Sequence, residues 1–352
     1  MSNGEKDMAR AISRRAFLGS TAVTTAGAFL AGCVTGAAPS AAPVTAAPAA
    51  AEPAAVQTSD ETYIWVGAVT AIAFWIDGQA GFNAACKSLG VKGEYVGPVE
   101  YDPVAQLKIL EELIARKPAG IMIFPADDQS LNEPLKRAMA AGIGVIVVNH
   151  DVNDPSARYG FVGPDNRQVG RIGGRYVADY LKGKGKVAFM TTTNPAHGLR
   201  AAGYKDIFAD YPDIQVVAEV DEKSDPAYGL TVATQLLQSQ PDLNMIIGVD
   251  ATAGAATARA LKETGKAGQI PVFAMDRDDD MLPYIEDGTI LGTLAQNSFL
   301  EEWMATYYLY WLKHNTVAAF PDWRAAGAPQ VPGITDTGVT VVTKDNVKYF
   351  YH

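Results

Sequence analysis

Six short apolar runs alternate with longer stretches of helical periodicity between residues 60 and 352, and this alternation constrains the fold of the chain most strongly. Each run is continuous instead of alternating with polar residues, which is typical of strands buried on both faces of a parallel sheet. The runs lie at 63–69, 120–124, 144–148, 186–191, 245–249 and 272–275. Helical periods fill stretches between them, for example 104–116, 132–141, 168–181, 228–239 and 253–264. The order strand, helix, strand predicts a doubly wound α/β fold.

A faint internal repeat indicates where a ligand could bind. The run at 120–124, a helix and the run at 144–148 form one unit, which ends at Asn149. The run at 245–249, a helix and the run at 272–275 form a second unit, which ends at Asp276. Each unit places a polar residue beyond the carboxyl end of a strand, where open α/β sheets bind ligands. Two such edges facing each other would form a cleft between two lobes.

The first residues of the chain are typical of an export leader. Arg14 and Arg15 precede an uncharged run at 16–31, which is too short and too weakly apolar to span a bilayer. The paired arginine resembles a twin-arginine signal, and Leu30-Ala31-Gly32-Cys33 resembles the lipobox of bacterial lipoproteins. This resemblance implies a signal peptide at 1–32, lipidation of Cys33 and an extracytoplasmic, membrane-anchored protein. Residues 33–59 are rich in Ala and Pro and predict an extended, solvated linker.

Composition and missing motifs exclude several classes of function. The net charge is −10 and there is no basic run, so nucleic acid binding through phosphate contacts is not expected. No Gly-x-Gly-x-x-Gly follows the first strand, no Gly-x-Ser-x-Gly is present, and the four histidines lack metal-like spacing. The acidic run beginning at Asp276 has Met281 where a calcium loop needs Gly. We therefore predict no enzyme, no cofactor and no metal. Cys86, on a helical pattern, is predicted to be a buried thiol.

Several motifs carry a specific resemblance over 63–343. They are Phe74-Trp75, Asn149-His150-Asp151, Gly163-Pro164-Asp165-Asn166, Pro241-Asp242-Leu243 and Ala295-Gln296-Asn297. In this order and spacing they resemble type I periplasmic sugar-binding proteins, the ribose/galactose-binding family of ABC transporters. The resemblance implies two doubly wound lobes joined by three crossover segments near Gly163, Asn297 and Val339. It assigns 60–163 with 297–338 to the N-terminal lobe, and 164–296 with 339–352 to the C-terminal lobe.

The same resemblance implies a set of ligand-binding residues. They are Phe74, Trp75, Asn149, Asp151, Arg200, Asp250, Asp276 and Gln296. Carboxylates, amides and a guanidinium suit the hydroxyls of a sugar, and aromatic rings suit its C–H faces. Structural alternatives stay open at this stage: the aromatic pair could be core residues, Asp250 a helix N-cap, and Asp276 part of an acidic first turn. Weaker candidates are Asp77, Asp127, His150 and His197. Ile72-Ala73 replaces the usual Asn-Pro of the family, so one usual polar contact is missing.

The sequence thus predicts a lipid-anchored solute-binding protein that captures a monosaccharide or polyol between two lobes. Hinge closure would bury the ligand, and the closed form, expected to be a monomer, would dock on an ABC permease. The alternative function is a receptor of the same fold for a signal similar to autoinducer-2. Asp250 and the stretch Gly97-Pro98-Val99-Glu100 are similar to that subgroup.

Overall fold

A computed structural model describes residues 59–317 and 320–351. The predicted leader at 1–32, the lipidation site Cys33 and all of the predicted linker except residue 59 lie outside the described residues. Within those two described ranges, no helix is both long enough and apolar enough to cross a membrane.

Strands and α-helices alternate through most of the described residues, as predicted, and two pairs of consecutive strands have no α-helix between them. The strands are β1 (Thr62–Val66), β2 (Lys92–Val96), β3 (Gly120–Ile123), β4 (Gly144–Val148), β5 (Gly160–Gly163), β6 (Lys184–Thr191), β7 (Asp213–Asp221), β8 (Met245–Gly248), β9 (Val272–Met275), β10 (Ile290–Ala295), β11 (Ile334–Asp336) and β12 (Thr340–Thr343). The α-helices are α1 (Trp75–Leu89), α2 (Pro103–Arg116), α3 (Asn132–Ala140), α4 (Asn166–Tyr180), α5 (Pro195–Phe208), α6 (Pro226–Ser239), α7 (Ala251–Glu263), α8 (Leu282–Glu286) and α9 (Ser298–His314).

Two six-stranded sheets form the cores of two lobes. Lobe 1 has the strand order β11-β5-β4-β3-β1-β2, with every pair parallel. Lobe 2 has the order β12-β10-β9-β8-β6-β7, with only β12 antiparallel to its neighbour. The chain passes between the lobes after β5, after β10 and after β11. The predicted α/β class, the two lobes and the three crossovers are confirmed.

Both faces of each sheet are covered, which explains the continuous apolar runs. In β1, Ile64 and Val66 pack with α2 and α3 on one face, and Tyr63 and Trp65 pack with α1 and α9 on the other. Lobe 2 repeats this arrangement, with α6, α7 and α8 on one face and α4 and α5 on the other. Cys86 is a buried free thiol in α1, as predicted, and burial raises its pKa to about 12.

The edge strands β2 and β7 differ from the inner strands in sequence. They read KGEYV and DIQVVAEVD, and their residues are mostly half-buried or exposed. An edge strand has one neighbour and a more exposed face, so it needs no continuous apolar run. For this reason the apolar pattern did not indicate these two strands. It indicated six of the eight inner strands of the two described sheets, and it missed β5 and β10.

Candidate functional site

A cavity lies between the lobes, at the carboxyl ends of strands from both sheets. It encloses about 470 Å³ of space outside the protein atoms, counting the part that opens to solvent. Lobe 1 lines it with Val69, Ile72, Phe74, Trp75, Tyr101, Phe124 and Asn149. Lobe 2 and the β10–α9 crossover line it with Asn194, His197, Arg200, Ser224, Asp250, Ala251, Thr252, Asp276 and Gln296.

The aromatic pair stands at the start of α1. Phe74 precedes the helix, and its ring meets that of Trp75 edge-on, with the ring centroids 4.5 Å apart. Trp75 is 1% exposed and packs against Trp65 and Phe124, with centroids 5.4 and 5.2 Å away. Its indole Nε1 has no hydrogen-bond partner among the described residues. The two rings therefore contribute both to the core of lobe 1 and to the wall of the cavity.

The two repeat units place equivalent residues in equivalent backbone conformations. Asn149 follows β4 with φ 63°, and Asp276 follows β9 with φ 70°. Asn and Asp tolerate this left-handed region better than other residues with a side chain beyond Cα. The Asn149 N–H donates to Val162 and the Asp276 N–H donates to Leu294, in each case a carbonyl of the next strand. Both side chains thereby line the cleft, each just beyond the carboxyl end of its strand.

Gln296 joins these two residues across the lobes. Asn149 Nδ2 donates to Gln296 Oε1 at 3.2 Å, and Gln296 Nε2 donates to Asp276 Oδ1 at 2.7 Å. Burial raises the pKa of Asp276 to about 6, although nearby Arg200 and the hydrogen bond from Gln296 favour its ionised form. The crossover after β10 thus carries a residue that is hydrogen-bonded to both lobes.

Arg200 is the buried cation of the site. It is 2% exposed, and it donates from Nε to Asn166 Oδ1 at 2.7 Å and from Nη1 to the Val249 carbonyl at 2.9 Å. Burial lowers its pKa, and the carboxylates of Asp276 and Asp250 oppose that shift. An arginine side chain remains protonated in such a setting, so it supplies positive charge and N–H donors to the cavity.

Asp250 forms a carboxyl pair with Glu222, a residue that the sequence analysis did not single out. Thr252 Oγ1 lies 2.7 Å from Glu222 Oε2 and 2.9 Å from Asp250 Oδ2, and Ser224 Oγ donates to Asp250 Oδ2 at 3.1 Å. Burial and the neighbouring Asp250 raise the pKa of Glu222 to about 10. Burial also opposes ionisation of Asp250, but hydrogen bonds from Glu222 and Thr252 lower its pKa. At neutral pH, Glu222 is the protonated member and Asp250 the charged one.

Asp250 is at the same time a helix N-cap. Its Oδ1 accepts from the Ala253 N–H at 3.1 Å at the start of α7. Asp250 is therefore both the helix N-cap that the sequence allowed as an alternative and a residue of the cavity wall.

Gln106 holds the lobe 1 loops that carry the cavity residues. It is fully buried in α2, and its Nε2 donates to the carbonyls of Gly67 and Phe124 at 3.0 and 2.7 Å. Its Oε1 accepts from the Ala126 N–H at 2.8 Å. One amide thus fixes the loops after β1 and β3 relative to each other.

Comparisons with known proteins agree with this architecture. A family model described as "Periplasmic binding protein domain" matches residues 63–314. The chain belongs to the periplasmic binding protein family. The resemblance stated from the sequence is therefore confirmed.

Relatives of this periplasmic binding protein include proteins named for sugars. The D-ribose/D-allose-binding protein of Pseudomonas aeruginosa is 32% identical over 208 residues, which are 56% of this chain and 64% of that relative's length. A sugar-binding protein of a sugar ABC transporter from Bacillus halodurans is 31% identical, with a TM-score of 0.75, over 83% of this chain and 100% of that one. An ABC transporter solute-binding protein from Burkholderia graminis C4D1M, solved with D-arabinose, is 30% identical, with a TM-score of 0.77, over 84% and 99% of the two chains.

Most of the residues predicted for the site of this periplasmic binding protein line the cavity, but Asp151 does not. Asp151 is the one exception among the eight predicted residues, and its carboxylate accepts from Arg158 Nε at 2.6 Å and from its Nη2. The Arg158 side chain is almost completely buried, and a buried charge needs a partner, so the Asp151 carboxylate serves as its counter-ion. Asp151 lies three residues beyond the end of β4, after the left-handed residue Asn149, and it lines a different cavity.

The weaker candidates are distributed differently. His197 lines the cavity, and its Nδ1 lies 2.6 Å from Thr192 Oγ1. His150 is buried outside this cavity, and Asp127 accepts the N–H groups of a turn at Gln129 and Ser130. Asp77 is paired with Arg277 of lobe 2, so it joins the two lobes beside the site.

Proposed function

We propose that this periplasmic binding protein is the solute-binding component of an ABC transporter and captures a neutral monosaccharide or polyol between its lobes. The observation that carries the proposal is the cavity itself, with aromatic rings on one wall and carboxylates, amides and a guanidinium on the other. Hydroxyls both donate and accept, so they need both kinds of partner, and C–H faces pack on rings. The names of the relatives support a sugar and do not favour the autoinducer-2 alternative.

The proposed ligand contacts are the predicted residues that line the cavity: Phe74, Trp75, Asn149, Arg200, Asp250, Asp276 and Gln296. Asp250 and Asp276 would accept from ligand hydroxyls, and Arg200 would donate to them. A charge-assisted hydrogen bond of this kind is roughly twice as strong as a neutral one. Capture needs no bond making or breaking, so we propose binding without catalysis and without a cofactor.

Closure of the lobes would complete the site. Contacts already join the lobes beside the cavity, since Asn194 Nδ2 donates to Tyr101 Oη at 3.1 Å and Arg277 pairs with Asp77. Three crossover segments form the natural hinge for such a movement. A membrane permease would then distinguish the closed from the open protein by the relative position of the lobes.

We also propose that the protein acts outside the cytoplasm as a monomer, anchored to a membrane through lipidated Cys33 after removal of residues 1–32. The leader motifs support this proposal, and metabolic labelling with a lipid precursor tests it. Label should appear in the parent protein and be absent from a Cys33→Ala variant.

A thermal-shift panel of pentoses, hexoses and polyols tests the binding function. A ligand of the folded state raises the melting temperature, and 100 Kd of ligand adds about 2.7 kcal/mol to the free energy of unfolding. Asp276→Asn keeps a side chain that tolerates the left-handed conformation but removes the charge, so it should abolish the shift. The matched control Asp127→Asn, in an exposed turn, should retain it. A panel without any shift, or an unchanged shift in Asp276→Asn, would contradict the proposal.

A further inference from the structure

The two walls of the cavity differ sharply in polarity. Lobe 1 presents Val69, Ile72, Phe74, Trp75 and Phe124, which are all apolar or aromatic. Two of these five residues, Trp75 and Phe124, are buried, and the other three are half-buried at the surface of the cleft. One side of any enclosed ligand therefore meets a wall of hydrocarbon and ring atoms.

The few polar groups of the lobe 1 wall are largely occupied by protein partners. Tyr101 Oη donates to the Ala126 carbonyl and accepts from Asn194 Nδ2. Asn149 Nδ2 is shared between Gln296 Oε1 and Glu301 Oε2, at 3.2 and 3.4 Å. Among the described side chains of the lobe 1 wall, this leaves Asn149 Oδ1 without a protein partner, since the Trp75 indole Nε1, although unpaired, is itself buried.

Lobe 2 carries a much richer set of hydrogen-bonding groups. Asp250, Asp276 and Arg200 supply charged partners, and His197 and Ser224 supply neutral ones, whereas the amide of Asn194 is occupied by Tyr101 and by the Ala196 N–H. Burial lowers the pKa of His197 to about 3, so its ring is neutral at the working pH and can accept as well as donate. Hydroxyl recognition is therefore concentrated on one side of the cavity.

We propose that the ligand is a deoxy sugar, with its hydroxyls toward lobe 2 and a methyl or other deoxygenated carbon against the lobe 1 wall. This inference rests on the proposed function and specifies its ligand class. A hydroxyl pressed against the lobe 1 wall would lose its hydrogen bonds to water and find few replacements. A methyl group in the same place gains from burial and leaves no polar atom without a partner.

Matched sugar pairs that differ by one hydroxyl test the proposal by calorimetric titration. Suitable pairs are D-fucose with D-galactose, L-rhamnose with L-mannose, and 6-deoxy-D-glucose with D-glucose. In the pair with the correct stereochemistry, the deoxy member should bind about 10- to 100-fold more tightly, as expected when an apolar pocket receives one additional hydroxyl.

Variants of the lobe 1 wall localise the effect. Val69→Thr keeps the side-chain shape but adds a hydroxyl, and Ile72→Asn adds an amide; each should reduce the preference for the deoxy member at least several-fold. The control Val104→Thr changes a residue that is 77% exposed and distant from the wall, and it should leave the preference unchanged.

The outcomes separate this inference from the proposed function. If a hydroxylated sugar binds as tightly as its deoxy partner or more tightly, the deoxy-sugar inference is wrong and the binding function stands. If both wall variants keep the parent's preference, the apolar wall does not set it and the inference is also wrong. If no sugar of any pair binds, the proposed function itself fails.

Discussion

Glu302 is a buried carboxyl group that has no hydrogen-bond partner among the described residues. It lies in α9, is 0% exposed, and neither of its side-chain oxygens is bonded. A methyl group built on Gly78 of α1 would come within 3.2 Å of Glu302 Cδ and 2.7 Å of Trp65 Cη2. The carboxyl group thus lies at the contact between α1 and α9, against an aromatic ring. Burial, together with the neighbouring Glu301, raises its pKa well above the ordinary 4.5.

We predict that Glu302→Gln stabilises the protein increasingly as the pH rises. Above its ordinary pKa the unfolded chain releases this proton, whereas the folded chain retains it, so raising the pH favours unfolding. Each pH unit between the ordinary and the raised pKa then lowers the free energy of unfolding by up to about 1.4 kcal/mol. Glutamine has the same shape as glutamate and does not titrate, so the free energy of unfolding of the variant does not fall with pH for this reason.

Urea unfolding of both proteins at pH 5.5, 6.0 and 6.5 measures the effect. The stability of Glu302→Gln relative to the parent should rise by about 1.4 kcal/mol across this interval. Glu94→Gln serves as the control because Arg116 lowers the pKa of the Glu94 carboxyl, so this variant should not gain stability relative to the parent as the pH rises. A difference between Glu302→Gln and the parent that is independent of pH would refute the reasoning.

Three further predictions concern the lobes and the site. Asp77→Asn removes one charge of the half-buried ion pair with Arg277. Because such a pair is worth about 1 kcal/mol, the variant should bind the identified ligand up to about fivefold more weakly in calorimetric titration. Glu222→Gln preserves a neutral hydrogen-bonding group beside Asp250 and should keep the ligand affinity at pH 7. Glu222→Leu removes the hydrogen bond to the charged Asp250 and should weaken ligand binding about tenfold or more. Gly170→Ala would place its β-carbon 1.9 Å from a carbonyl oxygen of α5 and should lower the free energy of unfolding by about 3 kcal/mol.

Each of these predictions has a result that would contradict it. Adding Arg277→Gln to Asp77→Asn should weaken binding no further, so additive losses would show that the two residues act separately. Equal affinities of the Gln and Leu variants at Glu222 would mean that the residue does not position Asp250. Gly198→Ala meets no atom within 4 Å of its β-carbon and should be neutral or stabilising, so similar losses at Gly170 and Gly198 would exclude a steric cause.

The sequence predicted the fold in most of its architecture because both sheets are covered on both faces. Six of the eight inner strands of the described sheets read as continuous apolar runs, and strand ends such as Asn149 and Asp276 could be located from them, whereas β5 and β10 were missed. Boundaries were less certain: the first run was predicted to extend to residue 69, whereas β1 ends at Val66 and the following residues leave the sheet to form the cavity wall.

The sequence was less informative about residues whose role depends on contacts between distant segments. Asp151 fits the motif after a strand end, but its partner Arg158 decides its position, and that ion pair has no signature in spacing alone. Glu222 follows β7, an edge strand without an apolar run, so no strand end was available to indicate it. Glu302 follows Glu301 in a helical pattern, where a carboxyl group is ordinarily expected on a solvated face.

The position of β11 and β12 determines when either lobe can finish folding. These two strands come last in the order of synthesis among the described strands, yet β11 completes the sheet of lobe 1 and β12 that of lobe 2. Until the ribosome has released residues 334–343, β5 and β10 each present an open strand edge that could pair with another chain. Neither sheet therefore acquires its last strand until nearly all of the described residues have been synthesised.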